Sequence, residues 1–278
     1  MFFAIHFYLL FYRLFRSPSP VVRQQARTIL IGVLFSFAPI TAWLLLTAGF
    51  TMNFNPYLFF APLVIFPATT GYTVTEMKKI ARQKHLNLVF GIAEKIGRKT
   101  YNTAILVTPK GSTYTYQKTH LFDREKLFFT PGEKGYAVHK VEGVRIGLMV
   151  CFDWCFPEVT RILALEGAQI VCHPANLVMP YCQDAMKTRA IENRVFTITA
   201  NRIGIEKRGN ISISFTGQSQ IVDPSGNVLA SAGDRSESLK LVDIRVEDAD
   251  NKSITANNDL FKDRRISLYK PLLRKSGR

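Results

Sequence analysis

An α/β domain behind an apolar N-terminal segment is the architecture this chain predicts, on three observations. Beyond Glu76, strand, helix and strand recur through residues 144–150, 159–166, 168–173, 184–193 and 195–200. Ahead of Glu76 there is no Asp or Glu, and no charge of either sign lies between Arg27 and Glu76. A length of 278 residues with 47% hydrophobic content can bury a sizeable core, in one large domain or two.

The first 75 residues hold three apolar stretches. Residues 1–12 are short for a span, 28–50 are long enough to cross a bilayer, and 56–72 are marginal. Arg13, Arg16, Arg23 and Arg27 fill the first connection, 51–55 carry no charge, and Lys78, Lys79, Arg82 and Lys84 follow the third stretch. The positive-inside rule then predicts a membrane segment, 1–75, of two to three transmembrane helices, anchoring a cytoplasmic domain, 76–278. A secretory signal peptide is excluded by the missing basic n-region and small-residue cleavage site. The net charge is +15. Because the early arginines flank apolar segments instead of forming a basic face with interleaved aromatics, the expected partner is a membrane and not nucleic acid.

Within the second part, 77–84 reads as a basic helical piece, and 87–93 and 103–108 as strands. Pro109-Lys-Gly111 reads as a turn and 112–117, by alternation, as a third strand. Late strands at 219–222 and 228–231 flank Asp223-Pro-Ser-Gly226, a turn by composition. Cys151, Cys155, Cys172 and Cys182 form no CxxC pair and have no His at ligand spacing. Neither a zinc site nor a disulfide framework is expected, and a reducing compartment is the default.

Gly147-Leu-Met-Val-Cys151-Phe-Asp153-Trp-Cys-Phe-Pro157-Glu158 organises the chemistry. The apolar run before Cys151 reads as a buried strand and Pro157-Glu158 as a helix opening, so the thiol sits on the turn between them. There, backbone N–H groups face a developing negative charge. A lone cysteine in such a run also reads as a small buried apolar residue. Lys118 and Glu125 stand at or just beyond strand ends, and each alone reads as a solvated surface group. A cysteine attacking an amide carbonyl needs a base, a cation or N–H donors for the oxyanion, and an acid for the leaving amine. Together the three residues supply those types of group.

At Gly91-Ile-Ala-Glu94, Tyr101-Asn-Thr-Ala104, Lys118-Thr-His-Leu-Phe122, the run from Glu125 to Gly132, Cys151-Phe-Asp-Trp, Phe156-Pro-Glu158 and His173-Pro-Ala-Asn176, the chain resembles the carbon-nitrogen hydrolases of the nitrilase superfamily. Arg189-Ala-Ile-Glu-Asn193 and Asn258-Asp-Leu-Phe-Lys-Asp-Arg-Arg265 extend the resemblance, from about residue 85 to the C-terminus. The resemblance implies a four-layer αββα sandwich, N-terminally truncated here, with Cys151 as nucleophile and Lys118 as oxyanion stabiliser. It implies that Glu125 positions Lys118 or the substrate, that the Phe152 N–H completes the oxyanion hole, and that members pair, making a homodimer the expected assembly. No metal or organic cofactor is implied. Phe152, Trp154, His173 and Asn176 are the expected substrate-binding residues. Glu158 with Arg161, and Arg189 with Glu192 and Arg194, read as scaffold ion pairs. Cys155 stands where the family commonly has Arg or an aromatic residue, and Cys172 reads as a buried strand residue.

One departure concerns the family's general-base glutamate, which follows an apolar strand in a Phe-Pro-Glu motif. Here Leu63-Val-Ile-Phe66-Pro67 is followed by Ala68 and then Gly71-Tyr72. Either 64–67 is a remnant strand of the hydrolase sheet, or 56–72 is the last span of a membrane region spliced onto a truncated hydrolase. The second is favoured, because the uncharged run continues without a break from Thr28. Residues 13–27, with Ile31-Gly32 and Ala38-Pro39, resemble the membrane-embedded sensor region of certain bacterial histidine kinases. Glu76 is the nearest carboxylate that could replace the base.

The leading expectation is an amidase-type hydrolase of small linear amides or carbamoyl compounds, acting through a cysteine thioester and impaired by Ala68. The alternatives are a catalytically silent, membrane-tethered binding or sensor module, and a fusion fragment without settled function. A periplasmic acyltransferase of the same superfamily is disfavoured by the basic flank at Lys78–Lys84.

Overall fold

A computed structural model describes residues 71–208 and 211–274. The apolar stretches 1–12 and 28–50, and nearly all of 56–72, lie outside the described residues. Among the described residues no helix is long and apolar enough to cross a membrane.

Helix α1, Tyr72–Lys84, is entered through Gly71 and closed by His85 in the left-handed region. It runs through the boundary expected at 76, since Val74 and Ala81 on one face are buried against Ile105 and Val107. Residues 72–75 are therefore part of the helix, and Val74 packs with it on the sheet. Strands β1 (Leu88–Ile96), β2 (Lys99–Val107) and β3 (Thr113–Gln117) follow as an antiparallel sheet in that order. Period-two alternation gives β2 two buried faces: Ile105 and Val107 turn to α1, while Ala104 and Leu106 turn to the other sheet.

After the single-turn helix α2 (Glu125–Phe128), strands β4 (Val138–Val141) and β5 (Val144–Leu148) form a hairpin. A 3-10 turn, Cys151–Cys155, leads into α3 (Pro157–Leu165), which opens with proline at a position where no N–H is needed. Strand β6 (Ile170–Ala175), helix α4 (Cys182–Asn193) and strand β7 (Phe196–Asn201) complete two parallel steps. The hairpin β8 (Ile203–Arg208) and β9 (Ile211–Thr216) stands apart. Strands β10 (Gln220–Val222) and β11 (Val228–Ser231) then extend the second sheet to the order β11-β10-β7-β6-β5-β4.

Three apolar clusters bind the layers. Ala104, Leu106 and Tyr116 of the first sheet meet Ile146, Leu148 and Val150 of the second. Met149, Val159, Leu163, Val171 and Met186 pack α3 and α4 on the second sheet's far face. With α1 on the outer face of the first sheet, the order is helix, sheet, sheet, helix, the expected αββα arrangement. The strands at 138–141, 203–208 and 211–216 went unforeseen: a glycine and the run Glu206-Lys-Arg208 break the pattern of the second, whereas the third alternates apolar and polar residues throughout and was legible.

Candidate active site

Cys151 lies past the end of β5 with a φ of 44°. A side chain disfavours that left-handed conformation by about 1–2 kcal/mol, so the surroundings must impose it. They act from both sides of the residue. The Val150 N–H donates to Asp153 Oδ2 at 2.9 Å, and the Cys151 carbonyl accepts from His173 Nε2 at 2.8 Å.

Asp153 is fully buried and is the hub of a network. It accepts the Tyr116 hydroxyl at 2.9 Å and His120 Nδ1 at 2.9 Å. A carboxylate only accepts, so His120 carries its proton on Nδ1. Its ring stacks on Phe156 with centroids 3.6 Å apart. Thr119 joins Tyr116 at 3.1 Å and Tyr136 at 2.7 Å.

Lys118 follows β3 directly and is also fully buried. Its ammonium donates to Glu125 Oε2 at 2.5 Å. The same oxygen accepts the Phe122 N–H at 2.8 Å, and Oε1 accepts Asn102 Nδ2 at 3.0 Å. The Lys118 backbone is tied to Asn102 O at 2.8 Å and to the Gly132 N–H at 2.9 Å. A Cβ at Gly132 would lie 2.1 Å from the Gln117 carbonyl oxygen, so only glycine lets that loop approach the end of β3.

Burial raises the Cys151 thiol above its ordinary value. The Lys118 cation is the strongest opposing influence, followed by hydrogen bonding from the Asn176 backbone; Glu125 works against both, and the Phe152 backbone again lowers it. Burial alone pushes the Cys172 thiol up to about 12, which leaves it inert. Among the described residues no group of three His, Cys, Asp or Glu could hold a metal ion.

Cys151, Lys118 and Glu125, separate in sequence, thus meet electrostatically in one place. Phe152 lies beside them, its ring 5.0 Å from Phe122 and edge-on to Phe156 at 5.4 Å. Asn176 stands just past β6 with its carbonyl 3.8 Å from Cys151 Sγ, and it is exposed.

Two expected substrate-binding residues are placed differently. Trp154 is buried in the core with Met149, Val159 and Leu163, since the 3-10 turn points it inward under α3. His173 is buried, with Nδ1 on Thr199 Oγ1 at 3.1 Å and Nε2 on the Cys151 carbonyl, so neither nitrogen is left for a substrate. Burial draws its imidazole down to about 4, the hydrogen bond to Cys151 opposing it, and the ring is neutral.

The scaffold pairs are also only partly as read. Arg189 meets Glu192 at 3.0 Å, but Arg194 turns to the carbonyls of Asn251 and Pro224. Arg161 lies over the Phe261 ring at 5.3 Å instead of pairing with exposed Glu158. Glu76 pairs with Lys79 at 2.7 Å on α1. Asp153, Tyr116, His120 and Asn102 were missed as site residues. The one signal for Asp153 was a carboxylate set between Phe152 and Trp154 in an apolar run.

The carbon-nitrogen hydrolase family model matches residues 40–252, and the chain belongs to that family. A nitrilase of Pyrococcus abyssi (strain GE5 / Orsay) is 46% identical over 199 residues, covering 72% of this chain and 74% of that protein. The crystal structure of a carbon-nitrogen hydrolase from Helicobacter pylori G27 aligns with a TM-score of 0.66 at 29% identity, over 72% of this chain and 75% of that one. A mutant of the amidase from Nesterenkonia sp. AN1, showing Michael addition of acrylamide at its active site cysteine, aligns with a TM-score of 0.61 at 30% identity, over 71% and 74%. The family match opens inside the stretch expected to cross a membrane and takes in 63–72, for which a last membrane span was the favoured reading. Residues 13–39, which carry the resemblance to a histidine-kinase sensor region, lie outside it.

Proposed function

We propose that the chain hydrolyses a small linear amide or carbamoyl compound through a thioester on Cys151. The observation that carries this reading is the pairing of buried Lys118 with Glu125 beside a thiol whose charge Lys118 favours. In the acylation step Sγ bonds to the carbonyl carbon, and the thiol proton passes to the leaving nitrogen as the C–N bond breaks. The Lys118 ammonium and the Phe152 N–H hold the oxyanion, and Glu125 fixes the ammonium. Water then cleaves the thioester and returns the free thiol. The addition of acrylamide at the Nesterenkonia amidase's cysteine supports a pocket of amide size.

Turnover is expected to be slow, because Ala68 occupies the place of the family's general-base glutamate. General-base assistance contributes roughly 10²- to 10⁴-fold. Ala68 also favours a second reading, a silent module that binds an amide without cleaving it.

In this reading the hydrolase domain includes α1 and sequence ahead of it, since α1 crosses residue 76 and the family match opens at residue 40. Any membrane anchor is confined to what precedes that match. Exposed Ile162, Leu165 and Ile191 on α3 and α4 support pairing of two copies through that face.

Ammonia release by the full chain on a panel of short amides and carbamoyl compounds tests the proposal, with Cys151→Ala alongside. Release that vanishes in Cys151→Ala is the expected result. Equal release from both would overturn the nucleophile assignment, and no release from folded wild type, with an amide raising its melting temperature, would favour the silent module.

A further inference from the structure

We propose that His173 is a positioning residue that aims the Phe152 N–H at the oxyanion. The proposal rests on the reading of Cys151 as nucleophile and Phe152 N–H as oxyanion donor.

A peptide unit is planar, and in the trans form its C=O and N–H point in opposite directions. The Cys151–Phe152 peptide is trans, so whatever grips the Cys151 carbonyl also sets the direction of the Phe152 N–H. His173 Nε2 grips that carbonyl at 2.8 Å. The ring is itself held from behind by the Thr199 hydroxyl at 3.1 Å. Because Nε2 donates, Nδ1 is the bare nitrogen and Thr199 donates to it.

His173 and Thr199 are register partners on the parallel strands β6 and β7, so a rigid sheet supplies the reference. The turn it orients is otherwise strained, with Cys151 at a φ of 44°.

The test separates oxyanion binding from thiol reactivity, using the full chain with iodoacetamide and butyraldehyde. Iodoacetamide alkylates the thiol by displacing iodide and builds no oxyanion. Butyraldehyde forms a thiohemiacetal: Sγ bonds to the carbonyl carbon, the C=O π bond breaks, and the thiol proton moves to the oxygen, which then faces the donors. Neither reaction needs a general base at position 68. The quantity read is the aldehyde concentration that protects Cys151 from alkylation.

His173→Leu should weaken protection about 10²-fold, the usual effect of losing one oxyanion donor. Alkylation without aldehyde should stay within about twofold of wild type. His173→Gln, which keeps an N–H in reach of the carbonyl, should restore protection to within about fivefold, and Thr199→Val should weaken it several-fold. If His173→Leu does not fold, Thr199→Val decides, and unchanged protection in that variant overturns the proposal. So does a folded His173→Leu protected like wild type, or one in which alkylation falls as far as protection. Wild type that is alkylated but never protected overturns the oxyanion-hole reading and this inference together. Wild type that is protected yet releases no ammonia defeats the turnover reading alone, and the variant series still decides the role of His173.

Discussion

The two sheets each contribute half of the site, and they hold their residues by different means. On the six-stranded sheet it is the backbone of Cys151 that is fixed, by Asp153 on one side and His173 on the other, each backed by further buried partners. On the three-stranded sheet it is a side-chain charge that is fixed, the Lys118 ammonium, by one carboxylate. The half around Cys151 is thus over-determined in geometry, and the cation half depends on a single ion pair. Damage to the second should change charge first, and damage to the first should change shape.

Lys118→Met makes the comparison sharpest. It removes the buried cation and leaves Glu125 with the Asn102 and Phe122 donors. A rate loss of about 10²- to 10³-fold is expected. Stability should also fall, by less than the ~3–5 kcal/mol of a fully buried pair because Glu125 is partly exposed. Cys151 alkylation should slow as well, since Lys118 is the strongest influence favouring the thiolate. Steady-state kinetics, urea denaturation and iodoacetamide labelling of one preparation read all three. Unchanged alkylation would show that the two halves are not coupled through charge.

Acid tests the half around Cys151. The folded state draws His173 from 6.5 down to about 4, so between those values the unfolded chain takes up a proton that the folded chain refuses. His173 therefore supports the fold fully above about pH 6.5. That support is lost as pH falls through the window and levels off below about 4. The upper bound is about 3 kcal/mol. Other groups titrate in the same range, so the measurement is the difference between wild type and His173→Gln in urea midpoint from pH 7 to pH 4. Wild type should lose stability more steeply, and parallel curves would show that His173 already accepts a proton in the fold.

The same contrast explains what was legible in the sequence. The strand-turn-helix at Cys151 was readable because apolar runs, Pro157 and Glu158 are local signals. Lys118 and Glu125 were legible as a pair only through the family resemblance, since spacing left each a surface group; in the structure a short loop returns one to the other. Asp153, Tyr116 and His173 were assigned no role or the wrong one. Their partners lie 37 and 22 positions away, on strands whose register no local pattern specifies. Trp154 was misplaced for a related reason: composition cannot say which way a 3-10 turn rotates its third and fourth residues. The αββα order was legible only through the family resemblance; its physical basis, a strand β2 buried on both faces with a layer on each side, is seen in the structure.

Tyr116→Phe gives the smallest and most informative change, because this residue belongs to both halves. It lies on β3 two positions before Lys118, yet its hydroxyl donates at 2.9 Å to Asp153 in the 3-10 turn that follows β5 of the other sheet. Burial, and then the Asp153 charge, raise the phenol well above its ordinary value, so it remains a donor at every working pH. Removing it takes one donor from Asp153 and leaves the Val150 N–H and His120 in place. Thr119 keeps its contact with Tyr136 at 2.7 Å. A stability loss of about 1–2 kcal/mol is expected, with the alkylation rate of Cys151 within about twofold of wild type. A rate loss beyond tenfold in a folded variant would mean that Tyr116 carries the register between the sheets to the thiol, so that geometry, too, depends on one bond.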